Sequence, residues 1–168
     1  MTEFPFLVKV RNQYQLDVTE QKNHAVLKSR KTNALIEVFR DEYSSSSGDS
    51  AFLCYTVYFS TQHRHFDCWK DAQGLVDQEE LRETEAQVET YIRQILSDEV
   101  LPIEFYGVGQ FGGDITRDDY FNLSAALLTE RFLCSVEELS QCDFEIHSWS
   151  GQYDVQRTPV TELPLRKG

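Results

Sequence analysis

The fold is decided by the stretch Phe52-Leu53-Cys54-Tyr55-Thr56-Val57-Tyr58-Phe59, in which β-branched and aromatic residues follow one another almost without interruption. Side chains alternate between the two faces of a strand, and both faces of this stretch are largely apolar. A strand of that kind is typical of the interior of a sheet and not of its edge. The sequence therefore predicts that residues 52–59 lie in the middle of a sheet, beneath a helix.

Further strands are predicted on the N-terminal side of this stretch. Apolar and polar residues alternate with a period of two over residues 6–10 and 14–18, which predicts an opening hairpin, and strands are also predicted over 24–28 and 34–43. Residues 44–50 are polar and glycine-containing, with nothing to bury, so a mobile hairpin tip is expected there.

Two main helices are predicted on the C-terminal side. Apolar residues at helical spacing predict one helix over residues 77–99, with Asp77 as its cap, and a second over 116–133, capped by Thr116. The other predicted elements are a strand over 100–108, a glycine-rich turn over 107–113, a short helix from Ser135, and strands over 143–149 and 153–157.

This order of elements predicts the α+β class, because strands and helices are grouped instead of alternating. We expect an antiparallel sheet of about five to seven strands, with the two main helices packed on one face. A length of 168 residues is compatible with one domain. A single domain is therefore predicted over residues 1–157, followed by a flexible tail over 158–168.

The start of the chain lacks a basic segment followed by an apolar one, and no apolar run reaches the length of a membrane span, so a cytoplasmic protein is expected. The four cysteines, at positions 54, 68, 134 and 142, show no CxxC spacing, and reduced thiols are expected. No cofactor is predicted.

The excess negative charge lies entirely in the second half of the chain. Residues 1–75 hold 9 acidic and 9 basic residues, whereas residues 76–168 hold 19 acidic and 7 basic residues. A surface of that sign repels nucleic acid and anionic lipid and attracts basic partners. Part of the excess lies on the helix over 77–99, where carboxylates near the N-terminus are ordinary helix chemistry.

Two local motifs suggest chemistry, but each has a simpler interpretation. Residues 107–112 match GxGxxG, yet the acidic residues that follow are unsuited to phosphate, so glycines serving a tight connection are the preferred interpretation. His63, His65 and Cys68 are weak candidates for metal ligands. No matching pair of ligands follows them in the sequence, so no metal site is predicted.

Acidic and aromatic residues are interleaved between positions 114 and 154, which is typical of a protein interface. The predicted partner-binding residues are Asp114, Asp118, Asp119, Tyr120, Asp143, Glu145, His147, Trp149, Tyr153 and Asp154. No activated nucleophile accompanies them, so no catalytic residue is predicted.

The sequence favours an acidic module that binds a basic protein. Its most concrete form is an immunity protein or inhibitor that neutralises a nuclease toxin, with carboxylates in place of nucleic-acid phosphate. Two alternatives stay open: an enzyme or small-ligand-binding protein that uses the face of Glu145, His147 and Trp149, and a structural subunit of a homo-oligomer.

Overall fold

A computed structural model describes residues 4–44, 51–107 and 109–164. The chain divides into two compact units, residues 1–96 and 97–168, hereafter unit 1 and unit 2. This division does not test the single domain predicted over residues 1–157, which stays a prediction. None of the helices among the described residues is both long enough and apolar enough to span a membrane.

Unit 1 contains a five-stranded antiparallel sheet and two helices. In chain order the elements are α1 (Leu7–Tyr14), β1 (Asp17–Gln21), β2 (His24–Lys28), β3 (Leu35–Ser44), β4 (Ala51–Phe59), β5 (Gln62–Trp69) and α2 (Gln78–Leu96). The strands pair in sequence order, β1-β2-β3-β4-β5, and α2 packs on β4 and β5. The predicted place of residues 52–59, within a sheet and beneath a helix, is confirmed.

Unit 2 contains a second antiparallel sheet and three helices. Its elements are β6 (Val100–Gly107), β7 (Gly109–Thr116), α3 (Arg117–Phe121), α4 (Ala125–Phe132), α5 (Val136–Ser140), β8 (Asp143–Ile146), β9 (Val155–Pro159) and a 3₁₀ turn (Val160–Glu162). The strand order is β7-β6-β8-β9. The α+β class and its antiparallel sheet are thus confirmed, and the four-stranded sheet is an addition that the sequence did not predict.

The predicted opening hairpin is wrong, because residues 7–14 form α1. Leu7 and Val10 are buried at helical spacing, whereas Val8, which the hairpin would have placed beside Val10, is 48% exposed. Apolar residues at positions 7, 10 and 14 fit a period of 3.6 as well as the alternation at 6, 8 and 10, and packing decides in favour of the helix. The helix ends at Gln15, which adopts the left-handed conformation.

Local capping chemistry explains where several helices begin. Asp77 accepts hydrogen bonds from the backbone N–H groups of Glu79 and Glu80, at 2.7 and 3.1 Å, and Thr116 with Asp119 forms a reciprocal capping box. The helix predicted over 116–133 is divided, because Ser124 caps a new helix, α4, after α3 ends at Phe121.

The glycine-rich segment forms the end of a hairpin between β6 and β7, so the phosphate-loop context, in which a helix follows the glycines, does not occur. Gly107 and Gly109 have φ angles of 144° and 109°, which favour glycine, and Phe111 stacks on Phe105 with ring centroids 4.7 Å apart. The preferred interpretation of these glycines as a tight connection agrees with this geometry. Val108 lies outside the described residues.

The predicted hairpin tip and the predicted C-terminal tail are only partly described. The predicted hairpin tip falls largely on residues 45–50, which lie outside the described residues. Of the predicted tail, Thr158 pairs with Phe144 in the sheet, and Val160 is 2% exposed within the core of unit 2. Paired and buried chain thus extends to Val160, and residues 165–168 lie outside the described residues.

Candidate functional site

The sheet of unit 1 presents one face that the helices do not cover. Register places alternate residues of β3, β4 and β5 on the same side, opposite to the buried Val38, Val57 and Leu53. We call this side the open face. Its residues are Glu37, Phe39, Asp41, Tyr43, Phe52, Cys54, Thr56, Tyr58, His63, His65, Asp67 and Trp69.

A row of three aromatic side chains crosses one end of the open face. Tyr43, Phe52 and Trp69 are cross-strand neighbours, with ring centroids 5.2 Å apart for the first pair and 5.1 Å apart for the second. Trp69 is 53% exposed and Tyr43 is 46% exposed. Large exposed aromatic groups in contact with one another are more typical of a binding surface than of an ordinary solvated face.

A second chain of rings crosses the middle of the open face. Phe39 stacks on His24 of β2 at 4.2 Å and meets the edge of Tyr58 at 5.5 Å. Tyr58 in turn stacks on His63 at 5.1 Å, and His63 contacts His65 at 4.9 Å. The two groups of rings together extend over all four strands from β2 to β5.

Carboxylates lie between these two aromatic groups. Asp41 and Asp67 flank Cys54 on the neighbouring strands, and Glu37 lies opposite Tyr58, with its Oε2 atom 2.9 Å from His24 Nε2. None of the twelve open-face residues is Lys or Arg. The open face therefore combines exposed π-systems with three carboxylates, of which Glu37 is engaged by His24.

Part of the open face is concave. A cavity of about 320 Å³ lies over β3 and β4, and its lining residues include Phe39, Tyr43 and Tyr58 together with Glu37 and Asp41. The charge of Asp41 raises the pKa of the Tyr43 phenol. The cavity thus has aromatic walls and an acidic lining.

The open face holds a thiol and an imidazole in contact, but not in a reactive state. His65 Nδ1 lies 3.0 Å from Thr56 Oγ1 and 3.4 Å from Cys54 Sγ. Burial and a hydrogen bond with Asp67 raise the pKa of Cys54 to about 11, so the thiol is protonated at neutral pH. A nucleophilic cysteine requires the opposite shift, and the geometry favours binding over covalent catalysis.

The weak metal candidates do not converge. His63 and His65 lie on the open face, whereas Cys68 points to the opposite, buried side of β5 and is fully buried. Strand alternation therefore keeps Cys68 away from both imidazoles. Within the described parts of the chain, no three histidine, cysteine or acidic side chains are grouped so that they could hold a metal ion.

Several predicted partner-binding residues serve local structure in unit 2. Asp119 accepts a hydrogen bond from the backbone N–H of Thr116 at 2.8 Å, and Asp154 accepts from the N–H and the hydroxyl of Ser148, at 2.7 and 2.8 Å. Tyr120 and Tyr153 meet edge to face at 5.3 Å and pack against the core of unit 2. Asp118 is exposed on α3.

Other predicted residues lie on the side of the unit 2 sheet that faces away from its core. Glu145 and His147 alternate with the buried Phe144 and Ile146, and His147 Nε2 lies 3.7 Å from Glu145 Oε2. The Tyr106 hydroxyl donates toward the carboxylates of Glu104 and Glu145, at 2.8 and 3.2 Å. Burial, followed by these two carboxylates, raises the pKa of Tyr106.

The remaining predicted residues are Asp114, Asp143 and Trp149. Asp143 pairs with Arg157 at 3.0 Å and is already compensated. Asp114 lies on β7, opposite Pro102 of β6. Trp149 is partly exposed in the loop after β8. The ten predicted residues are therefore divided between helix α3, the side of the unit 2 sheet that faces away from its core, and the loop between β8 and β9.

Sequence reasoning missed the open face as a site. The signal was present, because Phe39, Asp41 and Tyr43 alternate with Val38 and Arg40 along a single strand. It was overlooked because only the register of β3, β4 and β5 shows that residues from three separate stretches meet on one side.

Comparison with known proteins yields no match to any family model, curated protein or solved structure.

Proposed function

We propose that this protein is an acidic binding module that recognises a basic partner protein, with an immunity protein or inhibitor of a nuclease toxin as its most concrete form. The observation that carries the proposal is the open face, where exposed aromatic rings surround three carboxylates without any Lys or Arg. Unlike the ten predicted residues, these groups share one side of one sheet.

The composition of the open face suits Lys and Arg side chains. A cation over an aromatic ring gains about 0.5–1 kcal/mol at an exposed site, and a neighbouring carboxylate adds an ion pair. Rigid aromatic side chains such as Trp69 and Tyr43 also provide contact area at low entropic cost. A basic surface is thus the partner chemistry that this face complements best.

The charge distribution between the units supports the same proposal. By sequence, unit 1 holds 15 acidic and 11 basic residues, and unit 2 holds 13 acidic and 5 basic residues. Both units are therefore negative. A net charge of −12 accelerates encounters with a cationic partner by long-range attraction, an effect that salt weakens.

A nuclease toxin would meet these requirements, because a protein that holds nucleic-acid phosphate presents Lys and Arg at its binding site. Carboxylates on the open face would occupy the positions of phosphate groups. The partner's aromatic-stacking arginines would then contact the rings that flank Asp41 and Asp67.

The test is affinity capture from the native host with three forms of the protein. The forms are the wild type, the open-face variant Asp41→Asn/Asp67→Asn, and the control Glu79→Gln/Glu83→Gln, which removes the same charge from exposed positions of α2. We expect a basic protein to be retained by the wild type and the control but lost by the open-face variant.

The captured protein is then purified and its association rate measured at low and high salt. The expected result is a steep fall in association rate with salt and a further fall for the open-face variant. Salt-independent association, or equal binding by the wild type and the open-face variant, would contradict the proposal.

A further inference from the structure

We infer that the concavity over β3 and β4 holds one arginine side chain of the basic partner. This inference rests on the proposed function and specifies which group of the partner anchors the complex. The concavity is the part of the open face lined by Phe39, Tyr43 and Tyr58 with Glu37 and Asp41, together with Thr56 and His65, and its volume is about 320 Å³.

The walls of the concavity are π-surfaces held in place by their neighbours. Phe39 is fixed between His24 and Tyr58, at centroid distances of 4.2 and 5.5 Å, and Tyr43 is stacked on Phe52 at 5.2 Å. Rings restrained in this way lose little freedom when a ligand packs against them, so binding a flat cation costs little side-chain entropy.

The acidic lining supplies charge and acceptor atoms. Asp41 lies directly across from Cys54 in the middle of the face, and Glu37 lies opposite Tyr58. A thiol is neutral or negative, so Cys54 supplies no positive charge beside Asp41. Asp41 thus faces a cation without a competing Lys or Arg among the open-face residues, whereas Glu37 is already engaged by His24 at 2.9 Å.

Arginine fits this site better than lysine. A guanidinium group is planar, stacks on aromatic rings and can donate two parallel hydrogen bonds to one carboxylate, whereas an ammonium group is compact and more strongly hydrated. The protein uses the same arrangement internally. Arg64 lies over Tyr91, and Arg157 lies over Tyr106, with 5.0 and 4.3 Å from the guanidinium carbon to the ring centroid.

The size of the concavity is compatible with one side chain. Its volume is about 320 Å³. That space accommodates a guanidinium group and part of its aliphatic stem but not a folded segment. The rest of the partner would then contact the flat aromatic row at Trp69.

The experiment uses Nα-acetyl-L-arginine methylamide as a probe, titrated into the full chain and followed by amide and indole chemical shifts. The citrulline analogue is the matched neutral control, because it replaces the guanidinium by a urea of nearly the same shape. We expect saturable shifts confined to β3, β4 and β5 with arginine, at least about tenfold weaker binding with citrulline, and weaker binding with the lysine analogue.

Three variants test which groups of the concavity act. Asp41→Asn should weaken arginine binding by at least about fivefold, and Tyr58→Leu by about threefold, whereas Tyr58→Phe keeps the ring and should bind like the wild type. Glu42→Gln is the matched control, because Glu42 is the next residue on β3 and lies on the opposite face. Unchanged chemical shifts elsewhere show that each variant is folded.

Equal shifts with arginine and citrulline, or arginine shifts that map outside β3, β4 and β5, would overturn the inference. So would full arginine affinity in Asp41→Asn. The proposed function fails separately, since it predicts loss of the captured basic protein when Asp41 and Asp67 are both neutralised. If the captured partner requires these carboxylates but the arginine probe does not bind, the proposed function is retained and the arginine anchor is excluded.

Discussion

The carboxylate of Asp154 should stabilise the loop between β8 and β9, although its position in an acidic stretch suggested a role in partner binding. One oxygen, Oδ1, accepts hydrogen bonds from the backbone N–H and the hydroxyl of Ser148, at 2.7 and 2.8 Å. The Ser148 hydroxyl oxygen accepts in turn from the N–H of Tyr153 at 3.1 Å. Ser148 is 6% exposed, so water does not readily replace these bonds.

The magnitude follows from the kind of bond that is lost. A hydrogen bond to a charged group contributes about 1.5–3 kcal/mol, and a donor left unsatisfied in a buried position costs a similar amount. Because the Asp154 residue itself is exposed, we expect the lower part of that range. Asp154→Ala should therefore lower the free energy of unfolding by about 2 kcal/mol, and Asp154→Asn, which keeps an acceptor oxygen, by about half as much.

The assay is urea denaturation combined with hydrogen exchange of the Ser148 and Tyr153 amides. Asp118→Ala is the matched control, because Asp118 belongs to the same predicted partner-binding set but is exposed on α3. We expect the control to remain within about 0.5 kcal/mol of the wild type. If Asp154→Ala also remained within that limit, with unchanged exchange at Ser148, the structural role of the carboxylate would be refuted.

Three further predictions address other parts of the chain. Gly109→Ala should lower the free energy of unfolding by about 1–3 kcal/mol in urea denaturation, because a φ of 109° is strained for alanine. Gly107→Ala should lower it further, because the added Cβ would also lie 2.6 Å from the Gln141 carbonyl oxygen. Equal losses for the two variants would contradict this close approach. Hydrogen bonds from the first turn of α2 lower the pKa of the Asp77 carboxyl in the folded chain. The cap therefore stabilises the folded chain fully above the unfolded-state pKa, and this stabilisation is lost as the pH falls through the folded-state pKa. An ordinary pKa for Asp77 in a carboxyl NMR titration would contradict this role of the cap. Asp41→Asn should lower the pKa of Tyr43 toward its ordinary value in a spectrophotometric titration resolved by a Tyr43→Phe reference, and an unchanged titration would show that the two side chains do not interact.

Strong local signals allowed the elements of the fold to be predicted. The run around Tyr55 is a strand in any packing, because few other structures accommodate so many β-branched and aromatic residues. Asp77 and Thr116 cap helices where the sequence indicated, because the hydrogen bonds of a cap join residues only two or three positions apart. Information of this kind is local and is present in a single stretch of chain.

The elements that were mispredicted depend on contacts distant in sequence. The first segment fits a strand, with Phe6, Val8 and Val10 on one face, and also a helix, with Leu7 and Val10 on one face. Its contacts with Tyr55 and α2 decide in favour of the helix. No strand is predicted over residues 62–69, where His63, Arg64 and His65 are polar, yet these residues form β5. Its pairing with β4 shows that alternate polar residues lie on an uncovered face.

The candidate site could not be found from charge counts along the sequence, because those counts do not separate the faces of a strand. The first half of the chain is neutral overall, yet its sheet has an acidic open face. Register explains the difference: Asp41 and Asp67 point to the open face, whereas Arg40 and Arg64 point to the opposite side. The difference in net charge between the two halves of the chain thus concealed a second difference in charge, between the two faces of one sheet.

Tyr55 and Tyr58 illustrate a consequence of this two-sided sheet. The former is fully buried and donates to Glu85 at 2.9 Å, whereas the latter is 38% exposed on the open face. Alternate residues of β4 are therefore under different physical demands, one set by core packing and the other by solvent and, under the proposed function, by the basic partner. We expect this sheet to act as an exchangeable recognition scaffold, on which exposed open-face side chains can be replaced to alter specificity while the packing beneath them is retained.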